Sequence, residues 1–446
     1  MSASESSLPE PEYPANGLLR FYVLLVLVLL PLDYFAPTAA VFREFGAKPA
    51  TLLLTLGGVC GLCFVRSRRS AGNSFEFAAF IVFAAWLALG FLAALTNFMA
   101  GWSEGHSDRS PLGQLLAQAA IVGVCGIAVI GNIRLTVAFP VLPLVARYLP
   151  PVVLFHLAIF GLNAAGVLSD SALPLSLFRV GVVENIRRPT ALFTEPSYFG
   201  TFAATYGTAL LCLSVSPGRK LFYALLALAL FVSSIAIGAK TFVVVLGAQA
   251  LYYVLHRTRS LASALAGALV LSIVSVCAIY FIVTYSALDV RENLSSADRL
   301  GSAVLATNVA LHGYALPGIG FGQFHFLYRD QFAPDFLFLS RGASLALSSD
   351  ADFRASTYNF YLRVLLETGI TGFIIFAIAI KKLWDVPLSG NLAFVAAIFA
   401  GALGFLMTQD TYFYPPLVFA TALILGVMEL RRRAQLSAPG RDFALA

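Results

Sequence analysis

Residues 77–95 read Phe77-Ala-Ala-Phe-Ile-Val-Phe-Ala-Ala-Trp-Leu-Ala-Leu-Gly-Phe-Leu-Ala-Ala-Leu95 and contain no charged side chain. A helix rises about 1.5 Å per residue, so a run of this length covers the roughly 30 Å of hydrocarbon in a bilayer. Similar runs recur on both sides of it: 59% of the 446 residues are hydrophobic, 12% are charged, and mean hydropathy is +0.83. No soluble core needs that much apolar surface. The expected fold is all-α, a polytopic integral membrane protein.

Apolar runs at 18–36, 50–65, 75–98, 112–131, 148–168, 197–215, 221–238, 240–256, 262–285, 357–380, 391–408 and 413–430 predict about twelve transmembrane helices. Pro140, Pro143, Pro150 and Pro151 interrupt the pattern, which predicts that 135–147 is an interfacial or re-entrant piece. The chain then divides into a tail, 1–17; nine helices within 18–285; one large hydrophilic loop, 286–356; three helices within 357–430; and a second tail, 431–446. Little positive charge precedes the first run and no small-residue cleavage pattern follows it, so it is expected to remain as a helix. Arg66, Arg68 and Arg69, then Arg134 and Arg147, Arg219 and Lys220, His256 to Arg259, and Lys381 and Lys382 fall on alternate connections. The bias of basic residues toward the cytoplasm places both termini there and the loop 286–356 on the opposite, periplasmic side.

The five cysteines, Cys60, Cys63, Cys125, Cys212 and Cys277, sit in or beside apolar runs, so no disulfide framework is expected. Cys60 and Cys63 form a C-x-x-C at a span end, without the second pair that a zinc site needs. The basic pI of about 9.1 follows from the cytoplasmic flanks, and no basic module interleaved with aromatics points to nucleic acid.

Charge facing lipid is costly, so polar groups on the outer side mark places that water or a substrate reaches. The first is Asn185-Ile-Arg187-Arg188-Pro-Thr-Ala-Leu-Phe-Thr194-Glu195-Pro196-Ser197-Tyr198, which runs into the sixth span. Pro196 suits a first helical turn, so Glu195 stands at the positive helix end, as a cap or as a reactive carboxylate. The second is the turn Ile237-Gly-Ala-Lys240-Thr241, where Lys240 either snorkels or binds a ligand. The third is the long loop, with Asp298-Arg299, the run Leu316-Pro-Gly-Ile-Gly-Phe-Gly322-Gln-Phe-His325, and Asp350-Ala-Asp352. Gly318, Gly320 and Gly322 lack the strand and the Gly-Lys-Ser/Thr of a nucleotide loop; they are expected to bend the backbone sharply where the loop returns to the membrane. Tyr314, Phe321, Phe324 and Tyr328 suit either stacking on sugar faces or an interfacial aromatic belt. Asp350 and Asp352 have the spacing of a metal-chelating Asp-x-Asp, but two aspartates on an exposed loop are more often solvated. At the tenth span, Arg363 and Glu367 are one helical turn apart and are expected to pair.

Three of these stretches together resemble the bacterial O-antigen polymerase and O-antigen ligase superfamily. Arg188 to Ser197 is similar to its Arg-x-x-x-x-Phe-x-Glu-Pro-Ser pattern entering a span. Arg299 with Pro317-Gly-Ile-Gly-Phe-Gly-Gln-Phe324 resembles its large-loop signature, and Asn359 to Leu362 through Glu367-Thr-Gly-Ile-Thr-Gly372 resembles the span that follows.

The resemblance implies a membrane glycosyltransferase of the bacterial inner membrane that uses an undecaprenyl-diphosphate-linked oligosaccharide on the periplasmic face, without a cofactor or bound metal. It implies partners in glycan assembly, a flippase and a chain-length regulator. Guanidinium groups suit the charge growing on a leaving diphosphate, which makes Arg188 and Arg299 the catalytic candidates with Glu195 as proton acceptor. Arg187, Lys240, Tyr358 and Asn359 are candidate substrate-binding residues. Ligases carry a histidine where this chain has Tyr358, a departure that favours a polymerase of polysaccharide repeat units over a ligase to lipid A core or protein. A transporter or flippase is the alternative of another class; it would be expected to show similar halves and interrupted helices, and the sequence shows no obvious halves.

Overall fold

The computed structural model describes residues 16–65, 75–99, 110–169, 173, 175–178, 189–213, 215–257, 306–307, 309–324, 357, 359–384 and 392–437. They form an all-helical bundle: α1 (Gly17–Leu29), α2 (Ala36–Ala47), α3 (Pro49–Phe64), α4 (Phe75–Met99), α5 (Pro111–Ala138), α6 (Val141–Ala164), α7 (Pro196–Cys212), α8 (Pro217–Ala236), α9 (Lys240–Arg257), α10 (Phe360–Trp384), α11 (Ala393–Phe405) and α12 (Pro415–Ser437). No strand occurs among the described residues. Among the described residues five helices, α4, α5, α6, α8 and α10, are long and apolar enough to cross a membrane. The apolar faces of α4 and α8, including Phe80, Leu92, Leu221, Leu225 and Leu228, point out of the bundle, as expected of side chains facing lipid. The chain is a helical membrane protein.

Helix starts follow local chemistry. Prolines open α3, α5, α7, α8 and α12, where a missing N–H costs nothing, and Asn16 and Ser110 cap α1 and α5 through Leu19 N–H at 2.8 Å and Gly113 N–H at 3.0 Å. Small residues then set the packing. Gly58 and Gly61 of α3 lie so close to Ala128 and Gly131 of α5 that a Cβ on either glycine would overlap the facing backbone. Asn132 completes the joint by donating to Leu54 O at 2.9 Å and accepting from the Tyr22 hydroxyl at 2.7 Å. Helix α11 is buried on nearly every side, held between α7, α9 and α12; Gln249 of α9 donates to its Ala397 O at 2.9 Å.

Every predicted apolar segment coincides with a helix except 262–285, which lies outside the described residues. Three differences matter. The separate interfacial or re-entrant piece expected at 135–147 is replaced by a tight connection at 139–140: α5 continues to Ala138, and α6 starts at Val141 and carries Pro150 and Pro151 inside it. Prolines are tolerated within such a helix because neighbouring helices and local adjustments re-satisfy the freed backbone groups. The first predicted span is cut short, since α1 ends at Leu29 and a further helix, α2, follows, so Asp33 lies in a connection. Residues 309–324, expected within a hydrophilic loop, pack into the bundle, with Ile319 and Phe321 fully buried.

Candidate functional site

Polar side chains collect where the C-terminal end of α1 meets the N-terminal ends of α3, α5, α7 and α10 and the connection between α11 and α12. The first group lies before α7. Ala191 adopts a left-handed backbone (φ 53°), its N–H donating to Asn163 Oδ1 of α6 at 3.2 Å. Phe193, fully buried, packs between His156, Phe199 and Phe202. Asp33 accepts Thr194 N–H at 3.2 Å on one oxygen and the Thr194 hydroxyl on the other. Glu195 stands in extended backbone at the N-cap of α7, but its side chain makes no capping bond; Oε2 instead accepts the Ser197 hydroxyl at 2.9 Å. The side-chain cap expected as one role for Glu195 is therefore replaced by a carboxylate exposed at the bundle end. The turn before α9, with Gly238 at φ 67°, reaches the same place: Thr241 Oγ1 donates to Ser197 O at 2.6 Å, and Lys240 is exposed beside it.

The second group centres on Arg363 of α10. Its Nε lies 3.1 Å from Glu367 Oε1, one nitrogen donates to Gln118 Oε1 of α5 at 3.0 Å, and the other reaches Asp410 O and lies 3.9 Å from Asp410 Oδ2. The guanidinium sits 4.4 Å from the centre of the Tyr412 ring, while the Tyr412 hydroxyl donates to Glu367 Oε2. The expected Arg363–Glu367 pair is present and belongs to a larger cluster. Asp410 Oδ2 also accepts Thr357 N–H at 3.1 Å.

Glycines bring the long loop into this cluster. Helix α10 is broken at Gly369 (φ 67°, ψ −177°), and the segment from Pro317 lies along the break. Ile319 N–H donates to Leu366 O at 2.6 Å, Gly320 N–H to Glu367 O at 3.0 Å, Gly322 N–H to Glu367 Oε1 at 3.0 Å, and Ile370 N–H to Ala315 O at 2.7 Å. Gly318, Gly320 and Gly322 have φ of 78°, 93° and 71°, so the predicted sharp bend is present. Irregular backbone of this kind is tolerated where protein surrounds it. Phe321 stands edge-on to Tyr412 with centroids 5.5 Å apart, and Phe324 is also buried. The stacking of these two rings on a sugar, entertained from sequence, is corrected: bundle packing occupies their faces.

Lys48, just before α3, links the groups. It sits 5.7 Å from the centre of the Tyr414 ring and is drawn electrostatically to both Asp33 and Asp410. Burial pushes its ammonium down to about 8 against the pull of those acids. Asp33 is pushed up to about 6 by burial, opposed by the bonds from Thr194 and by Lys48. Both residues lie in connections outside the helices.

Of the catalytic and substrate-binding candidates named from the sequence, Glu195, Lys240 and Asn359 are described. Asn359 caps α10, its Oδ1 accepting Leu362 N–H at 3.1 Å, and its amide nitrogen donates to Met407 O at 3.3 Å. Contacts join these places: Phe360 N–H donates to Leu406 O at 3.0 Å, and Tyr198 packs on Phe405 with centroids 5.5 Å apart. Arg187, Arg188, Arg299, Tyr358, Tyr328, Asp350 and Asp352 lie outside the described residues. Asp33, Lys48, Gln118, Asp410 and Tyr412 were not singled out in the sequence. Asp33 and Asp410 carried a signal, one an acid within the apolar run 18–36 and the other just past the run 391–408.

Among the described residues no group of three or more His, Cys, Asp or Glu is placed to hold a metal ion, and Cys60, Cys63, Cys125 and Cys212 are free thiols. The chain matches no family model and no curated protein.

Proposed function

We propose that this protein is a polysaccharide polymerase, an integral membrane glycosyltransferase that moves an undecaprenyl-diphosphate-linked glycan onto a repeat unit at the periplasmic face of the bacterial inner membrane. Its twelve spans would place both termini in the cytoplasm and the loop 286–356 outside. The observation that carries this reading is Glu195: an exposed carboxylate at the head of α7, in a segment tied to α1, α6 and α9, at the same end of the bundle as Lys48 and the Arg363 cluster. Supporting it are the three stretches that resemble motifs of the O-antigen polymerase and ligase superfamily.

In a single inverting displacement the acceptor hydroxyl attacks the sugar carbon, its proton passes to Glu195, and the diphosphate leaves with the bonding pair. Arg188 and Arg299 meet the charge that grows on that group, with Lys240 as a weaker aid. Arg187, Tyr358 and Asn359 contribute to substrate binding. Activity is expected to require no metal and to survive chelation.

The test is replacement of Arg188 and of Arg299 by alanine, followed by glycan length on gels and protein abundance in membranes. Loss of long chains at normal abundance is expected; unchanged ladders in both variants would sink the assignment. Deletion of the gene separates polymerase from ligase. Single repeats on the lipid core indicate a lost polymerase, and polymer accumulating on the lipid carrier a lost ligase.

One observation favours the transport alternative: α10 is interrupted at Gly369 beside buried Glu367, a construction that transporters use at substrate sites. Lipid-linked glycan that stays on the cytoplasmic leaflet in the deletion strain would select that reading.

A further inference from the structure

We infer that Asp33 is a positioning residue that presents Glu195 to the acceptor, an inference that rests on Glu195 being the proton acceptor. The side chain of Asp33 bonds both donors of one residue: Thr194 N–H, at 3.2 Å, and the Thr194 hydroxyl. Two bonds from one residue to the two oxygens of one carboxylate fix rotation as well as position. The next residue is Glu195. Upstream, Phe193 is locked in an aromatic cage, and His156 of that cage bonds Val28 O of α1 through Nε2 at 3.0 Å. Downstream, Pro196 restricts its own φ, and Thr241 holds Ser197 O. The peptide that carries Glu195 is therefore fixed on both sides, and its side chain stays exposed.

Burying a carboxylate at Asp33 is costly, and its residue is only 9% exposed. The compensation is local: Thr194 supplies the hydrogen bonds and Lys48 the countercharge. Asp33 itself lies behind Thr194, so it acts through the backbone that orients Glu195. Misplacing a reacting group by about 1 Å costs on the order of 100-fold in rate.

The test is a double-mutant cycle on the full-length protein in proteoliposomes, supplied with a lipid-diphosphate-linked repeat unit. Asp33→Ala is expected to lower kcat roughly 10- to 100-fold with KM little changed. Asp33→Asn, which keeps an acceptor for Thr194, restores much of the rate. In a Glu195→Gln background Asp33→Ala has little further effect, because the group being positioned is already gone. Equal losses in both backgrounds would overturn the inference. If Asp33→Ala fails to fold, Thr194→Val removes one of the two bonds, and its rate is read in the same two backgrounds.

Hydrogen exchange provides a readout independent of turnover. The Thr194 amide is expected to exchange faster in Asp33→Ala than in the wild type, with the interior of α7 unchanged; equal exchange refutes the anchor. Faster exchange in a protein whose wild type transfers no glycan would refute both the polymerase reading and the role of Asp33 that depends on it, leaving a backbone anchor alone.

Discussion

Arg363 Nε stands 3.1 Å from Glu367 Oε1, one turn along α10, and the same guanidinium lies over the ring of Tyr412, whose hydroxyl donates to the other oxygen of Glu367. The arrangement joins α10 to the connection between α11 and α12, while Gly322 N–H brings in the long loop and Gln118 brings in α5. Removing one partner leaves the other charge buried, at a cost of about 3–5 kcal/mol. Arg363→Ala and Glu367→Ala are each expected to lower the melting temperature in detergent sharply. Arg363→Met with Glu367→Leu should lose less than the two alanine variants summed. Simple additivity would show that the two groups do not depend on each other.

Gly320 lies at φ 93°, where a Cβ would come 2.6 Å from Ala94 Cα. Gly320→Ala is thus both strained and obstructed, and residues 309–324 are expected to leave the break in α10. Limited proteolysis should then cut this segment faster than in the wild type. Gly161→Ala on α6, with nothing within 4 Å of the added methyl, serves as the control and should be silent.

Ala191 holds a left-handed backbone at φ 53°. An L residue there carries about 1–2 kcal/mol of strain that glycine escapes, partly offset by the larger entropy of an unfolded glycine. Ala191 is fully buried, so the lost methyl costs about 0.8 kcal/mol as well, and Ala191→Gly is predicted to be neutral to within about 0.5 kcal/mol. A loss of about 1.5 kcal/mol, which the methyl and the entropy would cost without any relief, would contradict the strain.

Burial raises Asp33 from 3.8 to about 6, so the folded state holds this proton more tightly than the unfolded state does. For a raised carboxylate the contribution is fully present below the unfolded value and is lost as pH rises through about 6. Acidification from pH 7 to 5 should therefore stabilise the wild type relative to Asp33→Asn by about 1 kcal/mol. Melting curves of the two proteins that stay parallel across this interval would show that Asp33 does not titrate as described.

Local patterns carried most of the architecture and part of the candidate site. Apolar runs located the helices because every backbone polar group in hydrocarbon must be satisfied within a helix, whatever its neighbours. The glycines at 318, 320 and 322 announced a bend because few other residues tolerate positive φ, and one-turn spacing announced Arg363 with Glu367. Pro150 and Pro151 misled because intrinsic helix breaking is overridden when surrounding helices satisfy the backbone.

That this is a helical membrane protein, where its charges concentrate, and that Glu195 opens a helix all follow from composition or from residues a few positions apart. No local pattern carries the contacts that packing makes: Asp33 holds Thr194 across 161 positions, Arg363 reaches Gln118 across 245, and the glycine segment fills a break at Gly369. Bonds between residues so far apart in the chain depend on how helix ends are brought together, and that is set by the close contacts of small residues such as Gly58 and Gly131.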